Sequence, residues 1–236
     1  AGRTDLDILI RPEHRLSFES SMESLGYKRL LSQPWSTYPN VDDWIGLDQE
    51  TGCLVHVHTH YALVTGIQHV KHLYLPWLNV FFDHVVTDDQ TGWPIPKPEL
   101  EAVILFVRIW AKMPPAERIK SVPSIPPYIK EELINLLRKS SFEDFSALCS
   151  ELKLKIPKDL KATYTSILTD QDSGSILKVA QAFYEQLKPS FRLPWSLSLL
   201  KSSYFKLNIK AQKKSIKLFG PRRLGKTLQG GGKVFA

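Results

Sequence analysis

The hydrophobic period of this 236-residue chain shifts from largely two-residue to helical near the series Pro94, Pro96 and Pro98, and nothing else constrains its fold as strongly. Ahead of the prolines, apolar residues alternate with polar ones, as in strands with one buried face. Beyond them they recur at helical spacing. The expected class is therefore α/β (α+β), with a small mixed sheet followed by a helical subdomain. The expected boundaries are an α/β core over residues 1–95, a helical subdomain over 96–205, and a basic linker over 206–236.

The first strand carries the most chemistry. Asp5-Leu6-Asp7 runs into Ile8-Leu9-Ile10, so Asp5 and Asp7 share one strand face and Leu6 and Ile8 the other. Adjacent carboxylates repel unless a proton or cation lies between them. A divalent ion that also grips phosphate oxygens is one reason to build such a pair; a strand end with two solvated acids is the plain alternative. Arg11-Pro12-Glu13 can open a helix, Leu16, Phe18, Met22 and Leu25 continue it, and Gly26-Tyr27 stops it. A β region follows over about 38–61. In it Trp44, Ile45 and Leu47 precede the turn Gln49-Glu50-Thr51-Gly52, and the strand Cys53 to Tyr61 closes it. Period two places His56, His58 and His60 on one face of that strand. Neutral imidazole is a common metal ligand, and acids with imidazoles make a softer site than pure Mg²⁺ chemistry requires. A solvated or cross-strand-bonded histidine row is the other possibility.

Val70 to Trp77 has the pattern of a short strand or connector, and the three prolines that of a stiff linker. Pro98 suits the start of a helix over about 98–113, with Leu100, Val103, Ile104, Val107 and Trp110 at helical spacing. Amphipathic segments follow over about 127–139, 142–152 and 175–188, punctuated by prolines and without an internal repeat.

With 43% hydrophobic residues the chain can bury a sizeable core, and its two cysteines, Cys53 and Cys149, argue against a disulfide scaffold. No apolar run is long enough for a membrane span and no signal-peptide plan is visible, so a cytoplasmic location is expected. Of the net charge of +7, the stretch from Lys201 to Ala236 holds ten Lys and Arg and no acid, leaving 21 basic against 24 acidic residues elsewhere. Such a tail can meet nucleic acid or an anionic membrane. It lacks the regular aromatic interleaving of a single-strand stacking surface, so nucleic acid is not the expected partner.

The order of an Asp-x-Asp strand, a helix ending in Leu25-Gly26-Tyr27 and a later histidine-bearing strand resembles the nucleotidyltransferase superfamily, in particular its uncharacterised nucleotidyltransferase-like domains. Over about the first hundred residues, this resemblance implies a metal-dependent domain acting on a nucleoside triphosphate and an acceptor not identified by sequence. Asp5, Asp7 and His56 would be catalytic, and Asp5, Asp7, His56 and His58 would hold Mg²⁺, Mn²⁺ or another divalent ion. Gly2, Arg3 and Lys71 would contact the nucleotide, and Arg108, on the helix over about 98–113, is either a further anion contact or the partner of a surface salt bridge. Two departures stand out. The glycine-serine turn that precedes the acid pair in that superfamily is missing, and His56 occupies the position of its third carboxylate. A domain that binds nucleotide without transferring it is therefore the alternative: an inactive scaffold of a small-molecule kinase protein.

Gly220 to Thr227 matches the phosphate-loop pattern G-x-x-x-x-G-K-[ST]. The glycines that follow at 230–232 make a poor helix, and the pattern needs a helix N-terminus to hold phosphate, so no nucleotide site is expected there. Gly230 to Ala236 resembles instead the lead-in to a thymidylate kinase-like P-loop domain. This implies a covalently linked kinase domain and a fragment truncated at both ends.

Overall fold

The strand β1 (Leu6–Leu9) forms where the alternation places it and pairs in parallel with β4 (Leu54–His60). In this computed structural model the described residues are 6–31, 40–67, 70–118, 124–190 and scattered positions from 197 to 211. Between those two strands come helix α1 (Arg15–Ser24), β2 (Lys28–Leu30) and β3 (Val41–Leu47). β3 pairs antiparallel with both β4 and β2, giving a mixed four-stranded sheet in the order β1-β4-β3-β2. A 3₁₀ turn with Pro12 at its start leads into α1. Gly26 ends it with φ at +83°, a left-handed conformation that glycine adopts without steric cost.

One face of the sheet is closed by α1. Met22, Trp44 and Val57 are buried there, with Ile8, Phe18, Tyr27 and Val55 packed around them. The same face holds a charge cluster. Asp42 is 9% exposed and accepts from Arg15 at 2.9 Å and Arg29 at 2.6 Å, while Arg15 also reaches Glu19 at 2.7 Å. Replacing Asp42 by Ala removes a carboxylate shared by two guanidiniums, and breaking a fully buried pair costs about 3–5 kcal/mol. Both arginine side chains keep more than a third of their surface in water. The expected loss is therefore nearer 2 kcal/mol, read as a lower urea midpoint; an unchanged midpoint would remove Asp42 from the account of stability.

Two compact units divide the chain, the second spanning Leu63–Leu193. The second begins with β5 (Val64–Thr65) paired to β6 (Leu73–Tyr74), then α2 (Leu78–Asp83) and a hairpin of β7 (Val85–Thr87) and β8 (Pro94–Pro96). The proline series is thus a strand and not only a linker. Hydrogen bonds at His84–Lys97 and Asp88–Trp93 bracket the hairpin. Pro94 and Pro96 accordingly fall at the alternate positions, where the missing N–H would point away from β7. Two hairpins use one turn chemistry: Thr51 donates to Asp48, and Thr91 to Asp88.

Helices dominate the rest: α3 (Pro98–Lys112), α4 (Pro115–Arg118), α5 (Pro127–Lys139), α6 (Phe142–Glu151), α7 (Leu160–Thr169) and α8 (Ser173–Gln186). α3 is central and packs against α5, α6 and α8. Its residues Leu100, Val103, Phe106, Val107 and Trp110 are buried, and the rings of Phe106, Phe145 and Phe183 meet at 6.0–6.4 Å. Local signals set the ends. Pro98 starts α3, Ser141 caps α6 by accepting from the Asp144 amide at 3.0 Å, and Asp172 caps α8. Among the described residues, no helix is long and apolar enough to cross a membrane.

Candidate functional site

The sheet face opposite α1 gathers three histidines and two acids. Register fixes this: β1 sets Asp7 against His58, and β3 sets Asp43 against the same His58. Side chains alternate across a strand, so His56, His58 and His60 share that face with both acids. Short side chains on neighbouring strands then fall within reach of one another.

The distances show a chain of contacts centred on His58. Its Nδ1 lies 3.3 Å from Oδ1 of Asp7 and its Nε2 lies 3.1 Å from Oδ1 of Asp43. His56 Nε2 is 3.6 Å from the same Asp43 oxygen, and His60 Nε2 is 3.3 Å from Asp7. The rings of His56 and His58 stand edge to face at 4.5 Å. Ligand atoms of Asp43, His56 and His58 all lie within 4.8 Å of one another. Asp7 is open to water, with 70% of its side chain exposed, whereas His58 and Asp43 are 29% and 28% exposed. This is a half-buried site with an open rim.

The residues expected at the site distribute as follows. Asp7, His56 and His58 share the face, with His58 touching Asp7 and His56 touching Asp43. Gly2, Arg3 and Asp5 lie outside the described residues, as does the phosphate-loop match at 220–227. Lys71 and Arg108 belong to the second unit. Lys71 has φ at +49°, and Arg108 on α3 lines a cavity of about 490 Å³ with Lys112, Tyr128 and Glu132.

Sequence reasoning missed Asp43, although the signal was present. The hairpin turn falls between Leu47 and Leu54. Counting back by equal steps from those two residues sets Asp43 directly opposite His58, so the register alone identifies it.

No protein-family model matches the chain, and no curated protein or solved structure matches it.

Proposed function

We propose that the first unit is a nucleotidyltransferase-like domain, which binds a nucleoside triphosphate through a divalent cation held on the histidine face of its sheet. One observation carries the proposal: a second carboxylate beside Asp7 on the histidine face. It stands on β3, as Asp43, joined to Asp7 through His58 at 3.1 and 3.3 Å. The position on β4 where a third acid was expected holds histidine, and Asp43 supplies the missing charge from the neighbouring strand.

Two acids on one open face attract a cation and repel a bare triphosphate, so nucleotide binding here depends on the ion. A divalent ion supplies neutralisation of phosphate charge and polarisation of the α-phosphorus. Asp43, His56 and His58 would hold that ion, with Asp7 beside them at the exposed rim. Transfer would form a bond from an acceptor oxygen to the α-phosphorus and break the α–β bridge, releasing pyrophosphate. An imidazole of the row would take the acceptor proton. A domain that binds the triphosphate without transferring it is the second reading, favoured by histidine at the β4 position.

Calorimetric titration of ATP, and then of the other triphosphates, tests the reading in the presence of Mg²⁺, Mn²⁺ or Zn²⁺. Saturable binding that needs the ion and weakens at least tenfold in Asp7→Ala and in Asp43→Ala is expected. Pyrophosphate release separates transfer from mere binding. If no triphosphate binds with any of these ions, the nucleotide proposal fails.

A further inference from the structure

We infer that His56, His58 and Asp43 form a binding site for a borderline divalent ion of the Zn²⁺ class, and that Asp7 serves it by orienting His58 rather than by ligating. The inference rests on the reading of this face as a cation site, and not on the nucleotide.

Three observations carry it. The first is spacing. Tetrahedral bonds of about 2.0–2.1 Å set ligand atoms roughly 3.3 Å apart. The separations from Asp43 Oδ1, 3.1 Å to His58 Nε2 and 3.6 Å to His56 Nε2, bracket that value. The second is donor chemistry. Two imidazoles and one carboxylate suit Zn²⁺, Co²⁺ or Ni²⁺, whereas Mg²⁺ takes oxygen ligands and keeps much of its water. Three protein ligands also leave a position open for water or substrate.

The third observation separates the two acids. His58 presents opposite nitrogens to them, Nδ1 towards Asp7 and Nε2 towards Asp43. A carboxylate beside one ring nitrogen holds the proton there, fixing the tautomer and turning the other nitrogen's lone pair to the metal. Asp7 therefore acts through His58, from a position where 70% of its side chain meets water. The site is preformed on two adjacent strands of one hairpin, with His56 and His58 two residues apart on β4 and Asp43 opposite His58 on β3. Rigid strands hold such geometry better than loops do.

The test uses the whole 236-residue chain, dialysed against chelator and without nucleotide. Zn²⁺ is titrated against a chromophoric competitor, and Co²⁺ is followed by its visible absorption, which reports coordination geometry. One equivalent of Zn²⁺ should bind, and a millimolar excess of Mg²⁺ should not displace it. His56→Ala, His58→Ala and Asp43→Ala should each weaken binding by roughly 100-fold or more. Asp7→Ala should weaken it by about 10–100-fold while leaving the stoichiometry and the Co²⁺ spectrum in place. Asp7→Asn should recover most of that loss, because its carbonyl can accept from Nδ1. Glu50→Ala, on the exposed turn of the same hairpin, should bind as the unaltered chain does. Far-UV circular dichroism shows whether each variant keeps its fold. Absence of saturable Zn²⁺ binding overturns the inference, as does binding indifferent to His56 and His58 or binding lost to Mg²⁺. If Asp7→Ala abolishes the Co²⁺ spectrum as ligand removal does, Asp7 is a ligand and its orienting role is overturned. Zn²⁺ binding in a chain that binds no triphosphate leaves this inference standing and removes only the nucleotide proposal. The reverse result removes only this one.

Discussion

Gly66→Ala is expected to destabilise the second unit by about 3 kcal/mol or more, combining backbone strain with forced overlap in a packed site. Gly66 has φ at +120°, where side chains rarely fit, and a Cβ built there would lie 2.3 Å from Nδ1 of His72. The ring cannot swing aside. Its Nδ1 accepts from the Ile67 amide at 3.1 Å, its Nε2 lies 3.0 Å from the Tyr184 hydroxyl, and the residue has no exposed surface. Gly26 gives the contrast. It too has positive φ, at +83°, but a Cβ there meets nothing within 4 Å, so Gly26→Ala should cost only about 1 kcal/mol. Urea unfolding followed in the far-UV compares the two. Equal losses at both positions would mean that backbone strain alone sets the cost and that the His72 contact is immaterial.

Elements fixed by local pattern were legible. The Asp7 strand, the glycine stop after α1, the β3–β4 hairpin and helix α3 fall within a few residues of their expected limits. Each carries its own periodicity and its own stop signal. Helix α7 was not found, because Lys-Ala-Thr-Tyr-Thr-Ser-Ile-Leu-Thr is rich in weak helix formers. Burial makes it helical. Leu160, Tyr164 and Ile167 face the core, and the Tyr164 hydroxyl donates to the Leu137 carbonyl at 2.7 Å. The β8 strand hid behind its prolines, whose lost donors do no harm at the positions they occupy. At the candidate site, alternation gathered the histidines on one face. Asp43 came from register between strands, a pairwise property that no single-strand pattern contains.

A second large effect is expected from pH, and it again centres on His72. Burial, reinforced by the positive charge of Arg118, lowers its pKa from 6.5 to about 4. The hydrogen bonds agree with a neutral ring. Nδ1 accepts from the Ile67 amide and therefore carries no proton, leaving Nε2–H to donate to Tyr184. In the unfolded chain the same residue titrates near its ordinary value. The unfolded state thus binds the extra proton between those two values, and stability falls as the solution is acidified. The contribution is intact above about pH 6.5 and disappears as pH falls towards 4, with a total effect of about 3 kcal/mol. His72→Gln removes the titrating group while offering one donor and one acceptor to the same neighbours. Denaturation curves for both chains should therefore be measured from pH 7 to 4. The variant is expected to start less stable, since Gln fills the ring's place poorly, and to gain on the parent by about 3 kcal/mol across that range. Parallel pH profiles would mean that His72 takes up its proton equally well when folded. The buried pair of Nδ1 with the Ile67 amide would then have to open in the native state, because a protonated Nδ1 can no longer accept.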